Sequence, residues 1–310
     1  MGTGKHTKRR NANRTAPRHE RPAQDCPSQR AATPAVPPRA AKFAACASLL
    51  RCPVCASNMR LAGGSLVCER GHDFAISRKG TVNVLTRPHP SEGYDEASFE
   101  NRRLVFEAGY YGHVIEGVAR FFDERPELRR IVDVGCGEGF YAKRLMNDDR
   151  TLVGLDLSKE AVGIAARGGN DICWIVGDLA ALPVRDASID AVLNVFTPAQ
   201  YDEFARVLAP GGLLLKVVPG PNHLRELRHA FRDVIRREDY SNQRVVDHFQ
   251  RHFQLIERTP LSKTIPTTPE TLRAFVRMTP LLFGVNDAVA ESRSVDAITV
   301  DAELLVGRPL

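Results

Sequence analysis

The sequence predicts an α/β fold: a doubly wound parallel sheet preceded by a small cysteine-bearing module. Three observations carry this. From Arg130 onward, short apolar strands alternate with helical segments, the spacing of β-α-β units. The first strand runs without a gap into Asp133-Val134-Gly135-Cys136-Gly137-Glu138-Gly139, a glycine-rich turn. Ahead of both, Cys52, Cys55, Cys68 and His72 stand at metal-ligand spacing.

Taken in order, residues 1–45 are rich in Arg, Ala and Pro, show no sustained apolar period and read as a disordered basic tail. Residues 46–90 form the cysteine module. Residues 91–125 read as a helical linker, with Phe99, Leu104, Phe106, Ile115, Val118 and Phe122 near helical spacing and Ala108–Gly112 as an interruption. The sheet domain, 126–310, follows. Its predicted strands are Ile131–Val134, Leu152–Leu155, Ile172–Val176, Ile189–Val195 and Leu213–Val218, the last entered through Pro210-Gly211-Gly212. Ser158 is placed to cap the helix after the second strand. Beyond Pro219 the pattern is less regular, with helix-like stretches at 222–237 and 268–277, and no internal repeat is present.

A length of 310 residues suits one or two domains, and 43% hydrophobic with 26% charged residues is ordinary for a globular protein. No apolar run approaches the ~18 residues of a membrane helix. The longest near the start, Phe43–Leu50, also lies too deep for a secretory signal, so a cytoplasmic location is expected. The net charge of +6 is unevenly spread. Residues 1–45 hold ten Lys or Arg against Glu20 and Asp25, hence +8; residues 46–90 hold six against two, hence +4; the remainder carries −6. A basic front end suits a polyanion, although a tail of this kind also serves solubility alone.

The module reads C-x2-C-x12-C-x3-H. Two thiolates on one Cys-x-x-Cys loop and a Cys/His pair opposite make a saturated tetrahedral shell, which suits structural Zn²⁺. A redox Cys-x-x-Cys would need neither Cys68 nor His72. Cys26, Cys46, Cys136 and Cys173 are scattered. Arg51, Arg60, Arg70, Arg78 and Lys79 surround the ligands with Phe74 nearby, a mixture suited to structured nucleic acid or to simple solvation.

In a doubly wound sheet the ligand sits at the carboxyl ends of the strands. Gly135, Gly137 and Gly139 allow positive φ and a close backbone approach. A lone Gly-x-Gly-x-Gly is equally a tight turn, but Asp156 ends the second strand, where it can accept from ribose hydroxyls, and Asp178 ends the third, where it can accept from an adenine amine. The glycine spacing departs from the dinucleotide G-x-G-x-x-G, leaving NAD a distant alternative.

This arrangement resembles the class I S-adenosylmethionine methyltransferases, with a Rossmann-like sheet. The whole resembles the RlmA family, the guanine-N1 methyltransferases of 23S ribosomal RNA, in which a zinc-ribbon-like domain precedes that sheet. The segments that carry it are Leu50–Cys55, Cys68–Phe74, Gly80-Thr81-Val82-Asn83-Val84-Leu85, Asn101–Arg103, Ala108–Tyr111, Asp133–Tyr141, Val218–Leu227 and Met278-Thr279-Pro280. The resemblance spans residues 49–310. It implies zinc on Cys52, Cys55, Cys68 and His72, and S-adenosylmethionine against Tyr111, Glu138, Gly139, Phe140 and His223. It also implies methylation of a guanine in the helix 35 region of 23S rRNA, and a homodimer. Tyr111 on a helix also suits a core, and His223 a structural turn; as cofactor groups, an aromatic ring can cover the adenine or the sulfonium, and His223 can bond the methionine carboxylate. Two departures stand out: the basic tail, and Asn194-Val195-Phe196-Thr197-Pro198 in place of the N-P-P-Y of many amino-group methyltransferases. The general base is not legible. Two other readings remain at this stage, a small-molecule methyltransferase with a structural zinc module and a non-catalytic zinc-containing RNA-binding protein.

Overall fold

A computed structural model describes Met1 and residues 35–87, 96–235 and 240–310. The expected tail lies largely outside these residues, but its end does not. Pro38–Ala41 (α1) and Phe43–Cys46 (α2) are helical, and Ala40, Phe43 and Cys46 are fully buried. The boundary at 45 is therefore corrected to about residue 35, because the three-residue spacing of these apolar side chains faces them inward together.

The small antiparallel sheet of the module comprises Met59–Ala62 (β1), Ser65–Cys68 (β2) and Asp73–Ala75 (β3). Thr81–Asn83 (β4) leaves the module altogether. It pairs parallel with Cys173–Val176 (β7) and becomes the edge of the main sheet. That sheet also contains Arg130–Val134 (β5), Thr151–Asp156 (β6), Ile189–Val195 (β8), Leu208–Pro219 (β9), Phe253–Pro266 (β10) and Ala297–Pro309 (β11), in the order β10-β11-β9-β8-β5-β6-β7-β4. β10 and β11 are antiparallel and the rest parallel. All five predicted strands are present. β4, β10 and β11 were not read from the sequence; β10 carries Pro260 and Pro266, which an edge strand tolerates.

Both faces of the sheet are covered. One core includes Glu96–Glu107 (α3), Gly112–Asp123 (α4), Phe140–Leu145 (α5), Lys159–Ala165 (α6), Arg225–Ala230 (α8) and Pro269–Met278 (α10), through side chains such as Phe106, Val118, Phe122, Leu145, Val162, Leu227 and Phe275. The helices at 96–123 are thus packed into the core of the sheet domain and are not a linker. The other core joins Tyr201–Val207 (α7) and Gln243–Gln250 (α9) to the module, with Phe43, Leu50 and Leu66 packed among Val132, Val153, Leu155 and Ile175. The module therefore supplies part of the helix layer on that face, and the separate domain expected at 46–90 is fused to the sheet. Cys46 on α2 and Cys173 on β7, isolated in sequence, form a disulfide with a Cα–Cα distance of 6.8 Å. Arg51 is likewise occupied within the fold: it pairs with Asp186 at 3.1 Å, which Arg206 also contacts at 2.6 Å. Asp287–Glu291 (α11) completes the chain's helices among the described residues.

Candidate active site and zinc centre

The chain leaves β5 for β6 and β7 on one side and returns through β8 and β9 on the other, so the switch point lies between β5 and β8. The glycine-rich turn sits at this point. Gly135, Gly137 and Gly139 have φ of 74°, 53° and 78°. Their roles differ. A Cβ on Gly135 would stand 2.4 Å from the Thr197 methyl, and one on Gly139 would stand 2.3 Å from the Trp174 ring. Only at Gly137 is the space open, with Arg102 the nearest group at 3.8 Å. Two of the three glycines thus make room for the protein itself.

Asp156 fastens the turn. Its Oδ2 accepts from Gly137 N and its Oδ1 from Ser158 N, both at 2.8 Å. Each oxygen keeps a second lone pair for a ribose hydroxyl. Gly135, Gly137, Asp156 and Asp178 line one cleft of about 930 Å³. Asp178 accepts from Ala180 N at 2.8 Å, which orients its carboxylate at the end of β7. Ser158 caps α6 as expected, accepting from Ala161 N.

Beneath the turn lie three buried polar atoms without partners: Asp133 Oδ2, Glu138 Oε2 and Tyr141 Oη. Burial, and then the neighbouring Asp156 charge, push the Asp133 carboxyl up to about 7; burial also raises Glu138. Orphaned acceptors in a protein interior are costly unless a ligand satisfies them. Two carboxylates awaiting donors suit an ammonium group and a sulfonium, the cationic end of S-adenosylmethionine.

Tyr111 and His223 line a second cavity of about 280 Å³ with Phe106 and Phe196. Phe106 stacks on Tyr111 at 4.7 Å and on Phe140 at 4.3 Å, and Phe196 approaches Tyr111 at 5.8 Å and His223 at 5.6 Å. Tyr111 is therefore both core and wall. Asp133, Glu138, Gly139 and Phe140 lie behind the turn and line neither cavity. His223 differs from expectation. Its Nδ1 lies 2.8 Å from the Asp301 carbonyl, so Nδ1 carries the proton, and burial pushes the ring down to about 4. In the ligand-free protein the neutral ring leaves Nε2 as an acceptor, matched to an N–H donor; the expected methionine carboxylate would require the ring to take up a proton on binding.

Four groups in this region were not found from sequence. Asp301 clamps the turn bearing His223: its carbonyl accepts from Gly220 N at 2.9 Å and its Oδ2 from Asn222 N at 2.8 Å. Arg102 and Phe196 line both cavities. Phe196 has φ 51°, a costly conformation for a bulky residue. Lys216, 4% exposed, holds the loop that carries it, donating to Thr197 O at 3.0 Å and to Asn194 Oδ1 at 2.5 Å. Asn194 in turn donates to Val134 O and Pro198 O. The signal for Lys216 was a lone cation inside an apolar strand.

In the module, Cys52, Cys55, Cys68 and His72 converge, with all ligand atoms within 4.8 Å of one another. A tetrahedron with Zn–S of about 2.3 Å and Zn–N of about 2.0 Å has S···S edges of about 3.8 Å and S···N edges of about 3.5 Å. The spacing is 3.8 Å for Cys55–Cys68, 3.6 Å for Cys52–His72 Nδ1 and 3.3 Å for Cys68–His72 Nδ1. The donor set fits zinc in a closed, structural shell.

A parallel sheet with a glycine turn at its switch point, acidic residues ending the next two strands and unpaired acceptors beneath defines an S-adenosylmethionine-dependent methyltransferase. Residues 131–212 match a methyltransferase domain model, and residues 50–88 match the model of the N-terminal zinc ribbon of RlmA. YxjB of Bacillus subtilis, which bears the name of a 23S rRNA (guanine-N(1)-)-methyltransferase, is 36% identical over 84% of this chain and 97% of its own length. The 23S rRNA (guanine(748)-N(1))-methyltransferase of Streptomyces fradiae is 32% identical over 84% and 97% respectively. The malonyl-[acyl-carrier protein] O-methyltransferase of Dechloromonas aromatica matches only 46% of the chain. The chain belongs to the RlmA family of 23S rRNA (guanine-N1)-methyltransferases.

Proposed function

We propose that this protein transfers a methyl group from S-adenosylmethionine to N1 of a guanine in the helix 35 region of 23S rRNA, with the zinc module assisting recognition. The observation that carries this reading is the division of charge between the cavities. All the carboxylates lie in the larger cleft, where Asp156, Glu160 and Asp178 stand with Arg87, Arg102 and Lys159, whereas the aromatic cavity beside it contains Arg102 and Arg228 and no carboxylate among its described lining residues. The first suits the hydroxyls and amine of an adenosine. The second suits a flat base on an anionic backbone.

The residue roles follow from that division. Asp156 receives the ribose hydroxyls and Asp178 the adenine amine. Gly137 leaves the cleft floor open and Gly135 admits the Thr197 side chain against the turn, while Gly139 and Phe140 set the direction of the turn. Asp133 and Glu138 supply acceptors for the α-ammonium. When bound, S-adenosylmethionine supplies an activated methyl on a cationic sulfur, and the rings of Tyr111 and Phe196 can face that charge. The rest is position and exclusion of water. His223 Nε2 offers an acceptor to an N–H of the target base, which must be unstacked to reach it. Arg60, Arg70, Arg78 and Lys79 remain exposed on the module and can meet phosphates.

Methylation of 23S transcripts in vitro, mapped by primer extension, tests the reading, since N1-methylguanine blocks reverse transcriptase. A stop in helix 35 that requires S-adenosylmethionine is expected. Methyl transfer to a small acceptor without any RNA stop would overturn it. No described helix is long and apolar enough to cross a membrane, and a ribosomal acceptor supports a cytoplasmic location. The family resemblance further supports a homodimer, which light scattering would report as about twice 34.3 kDa.

A further inference from the structure

A third cavity, of about 560 Å³, opens beside the Phe196–Pro198 loop. It shares Phe196 and Pro219 with the aromatic cavity, so the two adjoin. Its walls include Thr197, Pro198, Tyr201 at the start of α7, and Arg244 and His248 on α9. The charged side chains lining it are Lys216 and Arg244, and no carboxylate is among its described lining residues. That balance is notable in a sequence region whose net charge is negative. The nearest acid on the same helix, Asp247, accepts from Gln243 at 2.7 Å.

The cavity also presents aromatic surface. Tyr201 stacks on His252 at 5.1 Å and meets His248 edge-on at 5.0 Å. His248 is exposed, and partial burial together with Arg251, His252 and Lys216 holds its pKa below the usual value, favouring the neutral ring. An exposed imidazole beside an arginine is a pairing that binds single-stranded nucleic acid: a π-surface for a base and a cation for its phosphate.

We propose that this cavity is a subsite for the nucleotide flanking the target guanine, whose base stacks on His248 while its phosphate pairs with Arg244. The inference rests on the RNA reading above. A guanine turned into the aromatic cavity leaves its neighbour at the shared Phe196–Pro219 wall, and that wall opens into this subsite. A small-molecule acceptor would make no use of it.

The test uses the full chain and an RNA stem-loop containing the target. H248A and R244A each lower kcat/KM for the RNA by roughly tenfold or more, while the S-adenosylmethionine Kd from calorimetry stays at the wild-type value and reports an intact fold. Removing the flanking base, by an abasic nucleotide on either side of the target in turn, costs the wild-type enzyme a similar factor on one side and costs H248A nothing further. Variants that methylate the intact RNA at the wild-type rate would overturn the subsite, as would losses that multiply when H248A meets the abasic RNA. A wild-type enzyme that methylates no RNA overturns the parent reading and the subsite with it.

Discussion

Asp133 offers the sharpest test of the cofactor site. Its carboxyl is 1% exposed, has an unpartnered Oδ2 and is pushed up to about 7. A cationic ligand favours the ionised form, so binding S-adenosylmethionine should expel a proton wherever the free carboxyl still holds one. With a pKa near 7, half of the free protein is ionised at pH 7 and about 3% at pH 5.5, so affinity should fall roughly fifteenfold between those values. That is about 1.6 kcal/mol, and affinity should level off above pH 7. Stability of the ligand-free protein runs the other way. The folded value of about 7 exceeds the ordinary 3.8, so the native state holds a proton that the unfolded chain releases, and stability declines from about pH 4 to pH 7. At about 1.4 kcal/mol per unit, the total is on the order of 4 kcal/mol at most. Asp133→Asn should therefore bind S-adenosylmethionine more weakly, with a flattened pH dependence, yet unfold at a higher temperature than the wild type at pH 7.5. Calorimetric titration in buffers of different ionisation enthalpy measures the affinity and the proton release together. Affinity that stays constant from pH 5.5 to 7, with no proton released, would refute the argument.

Three further outcomes follow from the geometry. Cys68→Ser should abolish stoichiometric zinc by metal analysis and lower the melting temperature of the whole chain in one transition, because β4 and the second core tie the module to the main sheet. Gly139→Ala should cost more than about 2 kcal/mol in denaturant unfolding, since its Cβ would enter the Trp174 ring at a backbone φ of 78°. Lys216→Met should leave Asn194 Oδ1 and Thr197 O without their donor, at a cost of roughly 1–3 kcal/mol. Methyl transfer should fall more than cofactor affinity, and equal losses in both would contradict the assignment of that loop to the acceptor side.

What was legible in the sequence was local. The zinc tetrad occupies 21 consecutive positions, Cys52 to His72, and the glycine turn seven, so spacing alone displayed their chemistry. The five central strands were legible for a similar reason: buried on both faces, they read as predominantly apolar runs. The features missed depend on distant partners. Cys46 meets Cys173 across 127 residues, and Asp301 reaches back 78 residues to His223. β4 is only three residues long and takes its identity from β7, while β10 alternates exposed and half-buried positions around two prolines. His223 was found as a residue, but its tautomer was not legible, because it is set by a backbone carbonyl from another strand.

The insertion of Thr81–Asn83 into the sheet changes what the module can be. A recognition domain on a flexible tether would search for its target independently and deliver it to the methyl donor by chance encounter. Here the path from the zinc tetrad to the cofactor cleft runs through paired structure: β4 ends in Asn83, and Asn83 itself lines the cleft. The chain behaves as a caliper whose jaws are set at a constant opening. Under the proposed function, a ribosomal RNA stem held on the module would be selected by its distance from the offered base, as much as by the identity of either.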